Sequence, residues 1–435
     1  MLIKISSIPY FIVLLASGMP WIAAYFDSKL LVLAPDIVLM TIFALLLLTR
    51  RLDLRIGLVA GFVLIATVIH SLVGMLDGRG IGSGGLVLLV IEVLIFYKLL
   101  TGTNSISAKD SYTWISRIYK VHLCFLYFEF IMRLAGFTDQ FVAIAGHSTV
   151  TTIYKTYNTA ALLQHFEIMN GLNSLILGSQ SASQLSLFAL IWFYILFRHE
   201  LKVGHVSRLI FWLVAAVTMY LLSATMTSNI ILVSIIGFSI LIFYCRRISL
   251  RSTSILFFII LSGIVISLFD LFFFDLILFR INNEADVEIY KEALDVPIEV
   301  ISSMDIYRQL LGWGRYFDES IISDTNMGLA ALIFKTGFLF SGLLIASVIG
   351  FVFNLFRLRN RYFSGDLNEK SNAFLGIING LFAIGWFVSL GHYTPAVELG
   401  GRQIFAFHIA LSLYYSSRFL IVRKPKMTKV NLGSH

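Results

Sequence analysis

Charged residues are scarce in this sequence, and long hydrophobic runs take their place. Asp, Glu, Lys and Arg together make up only 13% of the 435 residues, whereas hydrophobic residues make up 58%. The mean hydropathy is correspondingly high, at +0.86. A chain of this composition exposes too little polar surface for water, which excludes an ordinary soluble domain and indicates a lipid bilayer as its solvent.

Motifs for metals, nucleotides and disulfide frameworks are also missing. The only two cysteines, Cys124 and Cys245, fall in apolar runs, and two isolated thiols make neither a disulfide framework nor a metal site. The chain has no Walker loop, no HExxH pair and no Asp-x-Asp pair in a cytoplasmic connection. We therefore expect no cofactor and no metal ion, and no direct binding of ATP or nucleotide sugars.

Apolar runs long enough to cross a bilayer recur along the whole chain. A helix needs about 20 apolar residues to span the hydrocarbon core, and about twelve runs meet that requirement. They predict an all-α integral membrane protein with a single polytopic membrane domain over residues 1–435. The predicted transmembrane helices lie near residues 8–26, 30–48, 56–75, 84–102, 116–136, 182–199, 209–226, 229–245, 254–276, 335–356, 373–391 and 402–421.

Basic residues are concentrated in every second connection between these runs. Arg50 and Arg51 follow the second run, for example, and Arg246 and Arg247 follow the eighth. Connections rich in Lys and Arg stay in the cytoplasm during insertion. We therefore expect both termini in the cytoplasm, and we read the net charge of +8 as an attraction to anionic membrane lipid, not to a nucleic acid.

Two connections on the opposite side of the membrane are long, at residues 137–181 and 277–334. The first carries apolar residues at helical spacing, including Leu162, Phe166 and Met169, which predicts a helix lying on the membrane surface. In the second, Pro297 can open a short helix that runs towards Leu310. Function is often carried by loops on a rigid scaffold, so we expect the large loop 277–334 to cover the active site.

A glycine pattern at the end of this large loop carries a resemblance to a known family. The segment from residue 310 reads LLGWGRYFDESIISDTNMGLAALIFKTGFLFSGLLIASVIG, in which a G-x-G turn, a polar capping residue and an apolar helix precede a long apolar run. It resembles the end of the large periplasmic loop in O-antigen polymerases of the Wzy type, within the O-antigen ligase and polymerase superfamily. The residues that fit the outline are Gly312, Gly314, Asp324, Asn326, Gly337 and Gly342.

Two further stretches are similar to that superfamily, and two positions depart from it. Residues 171–187 and 221–237 resemble its small-polar run and its serine-rich turn. Asn170 immediately precedes residues 171–187, at a position where related sequences often have arginine. Asn326 stands where O-antigen ligases place a histidine, and this favours a polymerase over a ligase.

The resemblance implies a membrane glycosyltransferase of lipopolysaccharide biosynthesis in the bacterial inner membrane. Its substrate would be an oligosaccharide linked to undecaprenyl pyrophosphate, polymerised at the periplasmic face without a metal. Membrane lipid is an expected partner, and a polysaccharide chain-length regulator is a candidate one. The alternatives are an O-antigen ligase that transfers glycan to lipid A-core, and a lipid-linked oligosaccharide flippase or other transporter. Asp36, Glu92 and His408, which lie deep in apolar runs, favour the transporter.

The implied reaction needs cations for the departing diphosphate and an acceptor for the hydroxyl proton. As catalytic residues we predict Arg315, inside the glycine turn, with Asp324 and Glu319 as candidate bases. Asp324 also has a structural reading as a helix cap. The predicted ligands of diphosphate and glycan are Arg280, Arg308, Arg402, Arg133, Trp313, Tyr316 and His392.

Several arginines of the predicted ligand set could instead have a purely structural role. Arg280 can anchor the end of a membrane span, and Arg308 lies among acidic residues with which it can form a surface salt bridge. Arg133 follows Glu129 by four residues, which is the spacing of a pair that neutralises itself on one helix. Both readings of each arginine remain open at this point.

Replacing Arg315 with alanine is expected to abolish chain extension while membrane insertion is preserved. The reason is that alanine removes the fork-shaped cation nearest the glycine turn. The measurement is the length distribution of the surface glycan, together with the abundance of the variant in the membrane fraction. Polymers of wild-type length would remove Arg315 from the site.

Overall fold

The structure, a computed structural model, describes residues 7–25, 34–48, 84–102, 107–135, 299, 302–312, 328–365, 367–388 and 401–421. Every regular element in these ranges is helical and none is a strand, which confirms the all-α class for this part of the chain. The helices are α1 (Ile8–Tyr25), α2 (Ala34–Leu48), α3 (Gly84–Gly102), α4 (Ala108–Leu134), α5 (Ile306–Leu311), α6 (Gly328–Ser364), α7 (Leu367–Val388) and α8 (Gly401–Ile421).

The helix bounds follow the apolar runs of the sequence. α3 coincides with the run at 84–102, whereas α6 extends beyond both ends of the run at 335–356. None of the helices in this part of the chain is both long enough and apolar enough to count as a membrane span. The helices predicted at 56–75, 182–199, 209–226, 229–245 and 254–276, and the surface helix in 137–181, lie outside the described residues.

α8 is the central helix, because it packs against α7, α3 and α1 and is buried on all sides over most of its length. Its small residues Ala406 and Ala410 let neighbouring helices approach closely, and both are fully buried. Its aromatic residue Phe407 packs edge-on against Tyr10 of α1 and Phe96 of α3, with ring centroids 5.2 Å and 5.6 Å apart.

The contacts of α8 fix the relative directions of its neighbours. Glu92 of α3 pairs with Arg402, and Phe96, one turn later on α3, meets Phe407, so α3 and α8 run parallel. α7 runs antiparallel to α8, since Asn379 contacts His408 near the start of α8. Nearer the end of α8, Gly376 accepts a hydrogen bond from Ser412, and Asn372 accepts one from Arg418.

Polar residues lie inside this bundle and large apolar residues lie on its outside. Phe353 on α6 is 71% exposed, and further apolar side chains are exposed on α1, α2 and α4. Among the buried residues are charged and polar ones on α3, α7 and α8, including Glu92, Asn379, Arg402, Gln403, His408 and Ser412. The described helices therefore combine an apolar core with several buried polar and charged groups, and they also expose large apolar side chains.

α6 and α7 form an antiparallel pair that depends on two glycines of α7. A Cβ at Gly376 would lie 2.8 Å from Leu358 Cδ1 and 3.2 Å from Tyr415 Cβ. A Cβ at Gly380 would overlap Leu355 and lie 2.9 Å from Ser412 Oγ. α7 thus packs closely between α6 and α8, and a side chain at either glycine would require Leu355 or Leu358 of α6 to shift.

Gly376→Leu is expected to lower the thermal unfolding midpoint of the purified protein. A leucine there must force α7 away from α8, and overpacking of this kind costs about 1–3 kcal/mol. Gly350→Leu is the matched control, because no atom lies within 4 Å of a Cβ at Gly350 and this glycine is exposed on α6. Equal midpoints for the two variants would contradict the close approach of α7 and α8.

Candidate functional site

Three helices bring four polar side chains together near the start of α8, and we call this group the ion cluster (Asp36, Glu92, Arg402 and Gln403). Arg402 Nε donates to Glu92 Oε1 over 3.0 Å, and Arg402 Nη2 donates to Asp36 Oδ1 over 2.5 Å. Gln403 Nε2 donates to the same Asp36 oxygen over 2.5 Å. The side chains of Arg402, Glu92 and Asp36 are 3%, 0% and 13% exposed, so the ion pairs are almost fully withdrawn from solvent.

Burial makes this arrangement one in which each partner depends on the others. Transfer of a lone charge into a low-dielectric interior is very costly, whereas a guanidinium that bridges two carboxylates pairs its own N–H donors with their acceptor oxygens. Removal of one member of a buried pair is strongly destabilising, because the remaining charge stays buried without compensation. The ion cluster therefore ties α2, α3 and α8 together at one end of the bundle.

Further polar contacts continue along α8 away from the ion cluster. His408 Nδ1 lies 2.7 Å from Asn379 Oδ1, in a hydrogen bond between α8 and α7. Near the other end, Tyr415 donates to Ser111 over 2.6 Å, and Ser111 also hydrogen-bonds Tyr10 over 2.5 Å. These buried contacts join α8 to α7, α4 and α1, and all their polar groups are neutral or paired within the bundle.

The short helix α5 lies in the large loop and carries the described part of the predicted ligand set. Asp305 caps it by accepting from the Arg308 backbone N–H over 2.9 Å, and the Asp305 carboxylate lies 3.5 Å from Arg308 Nε. Gly312 ends the helix, with φ 77° and ψ 179°, and its N–H donates to the Arg308 carbonyl over 2.8 Å. The predicted break at Gly312 is therefore confirmed.

α5 docks on a break in α6. Gly337 interrupts the helical backbone of α6 with φ 70° and ψ 173°, a conformation open almost only to glycine. A Cβ at this position would overlap the Leu310 carbonyl and lie 2.5 Å from the Gly312 nitrogen. Two glycines of the family-like pattern, Gly312 and Gly337, thus meet at the junction of loop and helix, which we call the loop junction (Leu310, Gly312 and Gly337).

The loop junction and the ion cluster lie at the same end of the bundle. Because α6 and α8 are both antiparallel to α7, they run parallel to each other, and Asn354 donates to Ser416 over 2.7 Å to set their register. At a rise of 1.5 Å per residue, Gly337 lies about 25 Å from this contact towards the start of α6. Arg402 lies about 21 Å from it towards the start of α8. Their depths along the bundle are therefore similar.

Most of the predicted site residues lie outside the described residues. These are Arg280, Trp313, Arg315, Tyr316, Glu319, Asp324 and His392. The backbone of Arg133 is part of α4, and its side chain also lies outside the description. Their roles stay predictions, and so do those of Arg308 and Arg402. In the structure, Arg402 contacts the carboxylates of Glu92 and Asp36.

Two features of the site were missed in the sequence. Tyr307, next to Arg308 on α5, is 72% exposed, and an aromatic residue beside a loop arginine was a sufficient signal. The pairing of Arg402 with Asp36 and Glu92 was also missed, although isolated charges in apolar helices usually pair with one another. Glu92 and His408 are both buried in the described helices.

Comparisons with known proteins add no assignment. Within the described residues, no group of three or more His, Cys, Asp or Glu side chains is arranged to hold a metal ion. No protein-family model, no curated protein and no solved structure matches the chain significantly. The function must therefore be argued from the residues and from the geometry of the loop junction and the ion cluster.

Proposed function

We propose that this protein is a polytopic inner-membrane glycosyltransferase that polymerises polyprenyl-diphosphate-linked oligosaccharide repeat units at the periplasmic face. The observation that carries the proposal is the loop junction. α5 of the large loop is fixed to the bundle through Gly312 and Gly337, two of the glycines on which the resemblance to O-antigen polymerases rests. A loop that is held in this way can place its arginines over the bundle, whereas a loose connection cannot.

The distribution of side chains in the described helices supports a bilayer as the surroundings. Large apolar residues such as Ile37, Ile349 and Phe353 are exposed, while charged residues pair in the interior. Exposed apolar side chains of this size are costly in water and favourable against lipid chains. The helix directions agree with the proposed topology, in which α3, α6 and α8 descend from the periplasm and α7 returns to it.

In the proposed reaction, cations of the large loop stabilise the diphosphate as the sugar leaves it. Arg308 is described and belongs to α5, where the Asp305 carboxylate orients it. Tyr307, beside it, offers an exposed aromatic face of the kind that packs on sugar rings. We propose Arg315 and Arg280 as further diphosphate ligands, and Glu319 or Asp324 as the proton acceptor.

Arg402 differs from the loop arginines in its surroundings. Its Nε and Nη2 donate to carboxylates in a buried site. A diphosphate at Arg402 would have to displace one of those carboxylates, and the displaced carboxylate would repel the incoming anion. Arg308 of the large loop is 31% exposed and pairs with Asp305 at 3.5 Å, so a diphosphate can approach it from solvent, and we assign the loop arginines the larger share of diphosphate binding.

A flippase is the second candidate, and the ion cluster is the observation that favours it. Ionisable residues within membrane-spanning helices often mark the path of an ion or a polar substrate. In the described helices, however, the carboxylates of the cluster are occupied by Arg402 and Gln403. A contact of this kind also serves to hold helices together, so the cluster alone does not require transport.

Deletion of the gene is expected to reduce the surface glycan to single repeats on the lipid core. A polymerase joins repeats, while capping of the core by one repeat is left to other enzymes. The measurement is the surface-glycan ladder, read after electrophoresis. Loss of all capping with long polymer still on the lipid carrier would indicate a ligase, and loss of both polymer and periplasmic repeats would indicate a flippase.

Gly337→Ala, returned to the deletion strain, is expected to lower the yield of long polymer by roughly 10–100-fold. The added methyl group must push α5 away from α6, and small displacements of positioning groups have effects of this size. Gly342→Ala is the matched control, because nothing lies within 4 Å of a Cβ at Gly342.

The ladder is normalised to the amount of each variant in the membrane fraction, so that lost activity is separated from lost protein. Wild-type ladders for Gly337→Ala would contradict the role of the loop junction. A loss that is equal for Gly342→Ala would mean that the glycine pattern matters for a reason other than docking.

A further inference from the structure

The ion cluster contains two carboxyl groups and one guanidinium group. If both carboxyl groups of the cluster were ionised, Asp36 and Glu92 would together carry two negative charges against the single positive charge of Arg402. Gln403 contributes a hydrogen-bond donor and no charge. A surplus charge in a site with side chains 0–13% exposed is expensive, because solvent does not screen it.

The hydrogen bonds of the cluster show where an additional proton fits. Glu92 Oε2 is buried and meets no donor among the described residues. Arg402 nevertheless holds the carboxyl groups of Glu92 and Asp36 close together, because Nε and Nη2 of its one guanidinium group donate to Glu92 Oε1 and to Asp36 Oδ1. Two ionised carboxylates are both acceptors and repel each other, so they can approach in this way only if one of them carries a proton.

The two carboxyl groups differ in ways that place the proton on Glu92. Asp36 Oδ1 accepts two donors, from Arg402 and Gln403, and Asp36 lies in the first turn of α2, where the helix dipole favours a negative charge. Glu92 accepts one hydrogen bond, lies in the middle of α3 and is 0% exposed. Asp36 is therefore the better anion and Glu92 the better acid.

We propose that Glu92 is a proton-binding site, and that its proton is donated to Asp36 and completes the ion cluster. The bound proton makes the cluster neutral as a whole. It also converts a repulsive contact between two carboxylates into a hydrogen bond between α2 and α3. Loss of the proton would loosen the contact between these helices and α8, because Arg402 cannot neutralise both carboxylates.

Among the described residues, the other titratable groups near Glu92 do not supply this charge. α8 contributes Arg402, and α2 contributes Asp36, both of which are already counted. α1, which also packs on α3, contributes Tyr10, and its hydroxyl group is hydrogen-bonded to Ser111. The proposal is independent of the proposed function, because a polymerase, a ligase and a flippase would all contain the same cluster.

Infrared spectroscopy of the full-length protein in lipid nanodiscs tests the proton directly. At neutral pH we expect the carbonyl stretch of a protonated carboxylic acid, which an ionised carboxylate lacks. The band should be lost in Glu92→Gln, which removes the acid. It should also be lost in Asp36→Asn, because Glu92 then ionises to balance Arg402. Glu369→Gln, which changes a half-buried carboxyl group on α7, should leave the band in place.

Thermal unfolding against pH tests the link to stability. The folded state binds a proton that the unfolded chain releases at neutral pH, so stability is full in acid and falls as the pH rises above the ordinary range of glutamate. Wild-type protein should show this fall, and Glu92→Gln should not, because a neutral amide reproduces both hydrogen bonds of the protonated acid.

Absence of the acid band from wild-type protein at neutral pH would overturn the proposal, and this measurement needs no variant to fold. A fall with pH that is equal in Glu92→Gln would overturn it as well. A third outcome is a rise of the wild-type midpoint in sodium or potassium chloride over choline chloride at equal ionic strength, with no rise in Glu92→Gln. That result would replace the proton with an alkali cation and would also overturn the proposal.

Discussion

The contact of Arg402 with Glu92 and Asp36 is the interaction on which the described bundle depends most. It joins three helices that are distant in the sequence, at the point where α8 enters the interior. The hydrophobic effect alone gives helices in an apolar environment little preference for one neighbour over another, because lipid chains and leucine side chains are equally apolar. A buried charge network does distinguish neighbours, since every wrong pairing leaves a charge without a partner.

The glycines provide the second constraint, which is one of distance. Gly376 and Gly380 bring α7 against α8 and α6, and Gly337 lets the end of the large loop settle into α6. A methyl group would overlap the Leu310 backbone at Gly337, and at Gly376 and Gly380 it would press against neighbouring side chains. Polar contacts therefore decide which helices meet, and glycines decide how closely they meet. The loop junction combines a close approach with a backbone conformation that other residues rarely adopt.

Sequence reasoning could predict the parts of this structure that depend on local pattern. The run at 84–102 predicts α3, and Gly312 predicts the end of α5, because hydropathy and a missing Cβ act on the residues around them. The partner of Arg402 could not be predicted in this way, because Asp36 lies 366 positions away and Glu92 lies 310 positions away. Which helices lie side by side is a property of the whole packing, and hydropathy does not encode it.

The position of the Gly337 break was not predicted for the same reason. Its backbone conformation is required by contact with α5, and α6 continues beyond it.

The charge state of the ion cluster also bears on where a diphosphate would bind. With a proton on Glu92 the cluster is neutral, so it neither attracts nor repels an anion at the end of the bundle. With both carboxylates ionised it would carry one negative charge, and in poorly screened surroundings that charge would oppose a diphosphate at the same depth. Under the proposed function, a neutral cluster would therefore leave the binding of the diphosphate to the arginines of the large loop. Such a cluster would hold α2, α3 and α8 in place without opposing an anion. On this proposal, one end of the bundle could contain both a carboxylate pair and a site for an anionic substrate.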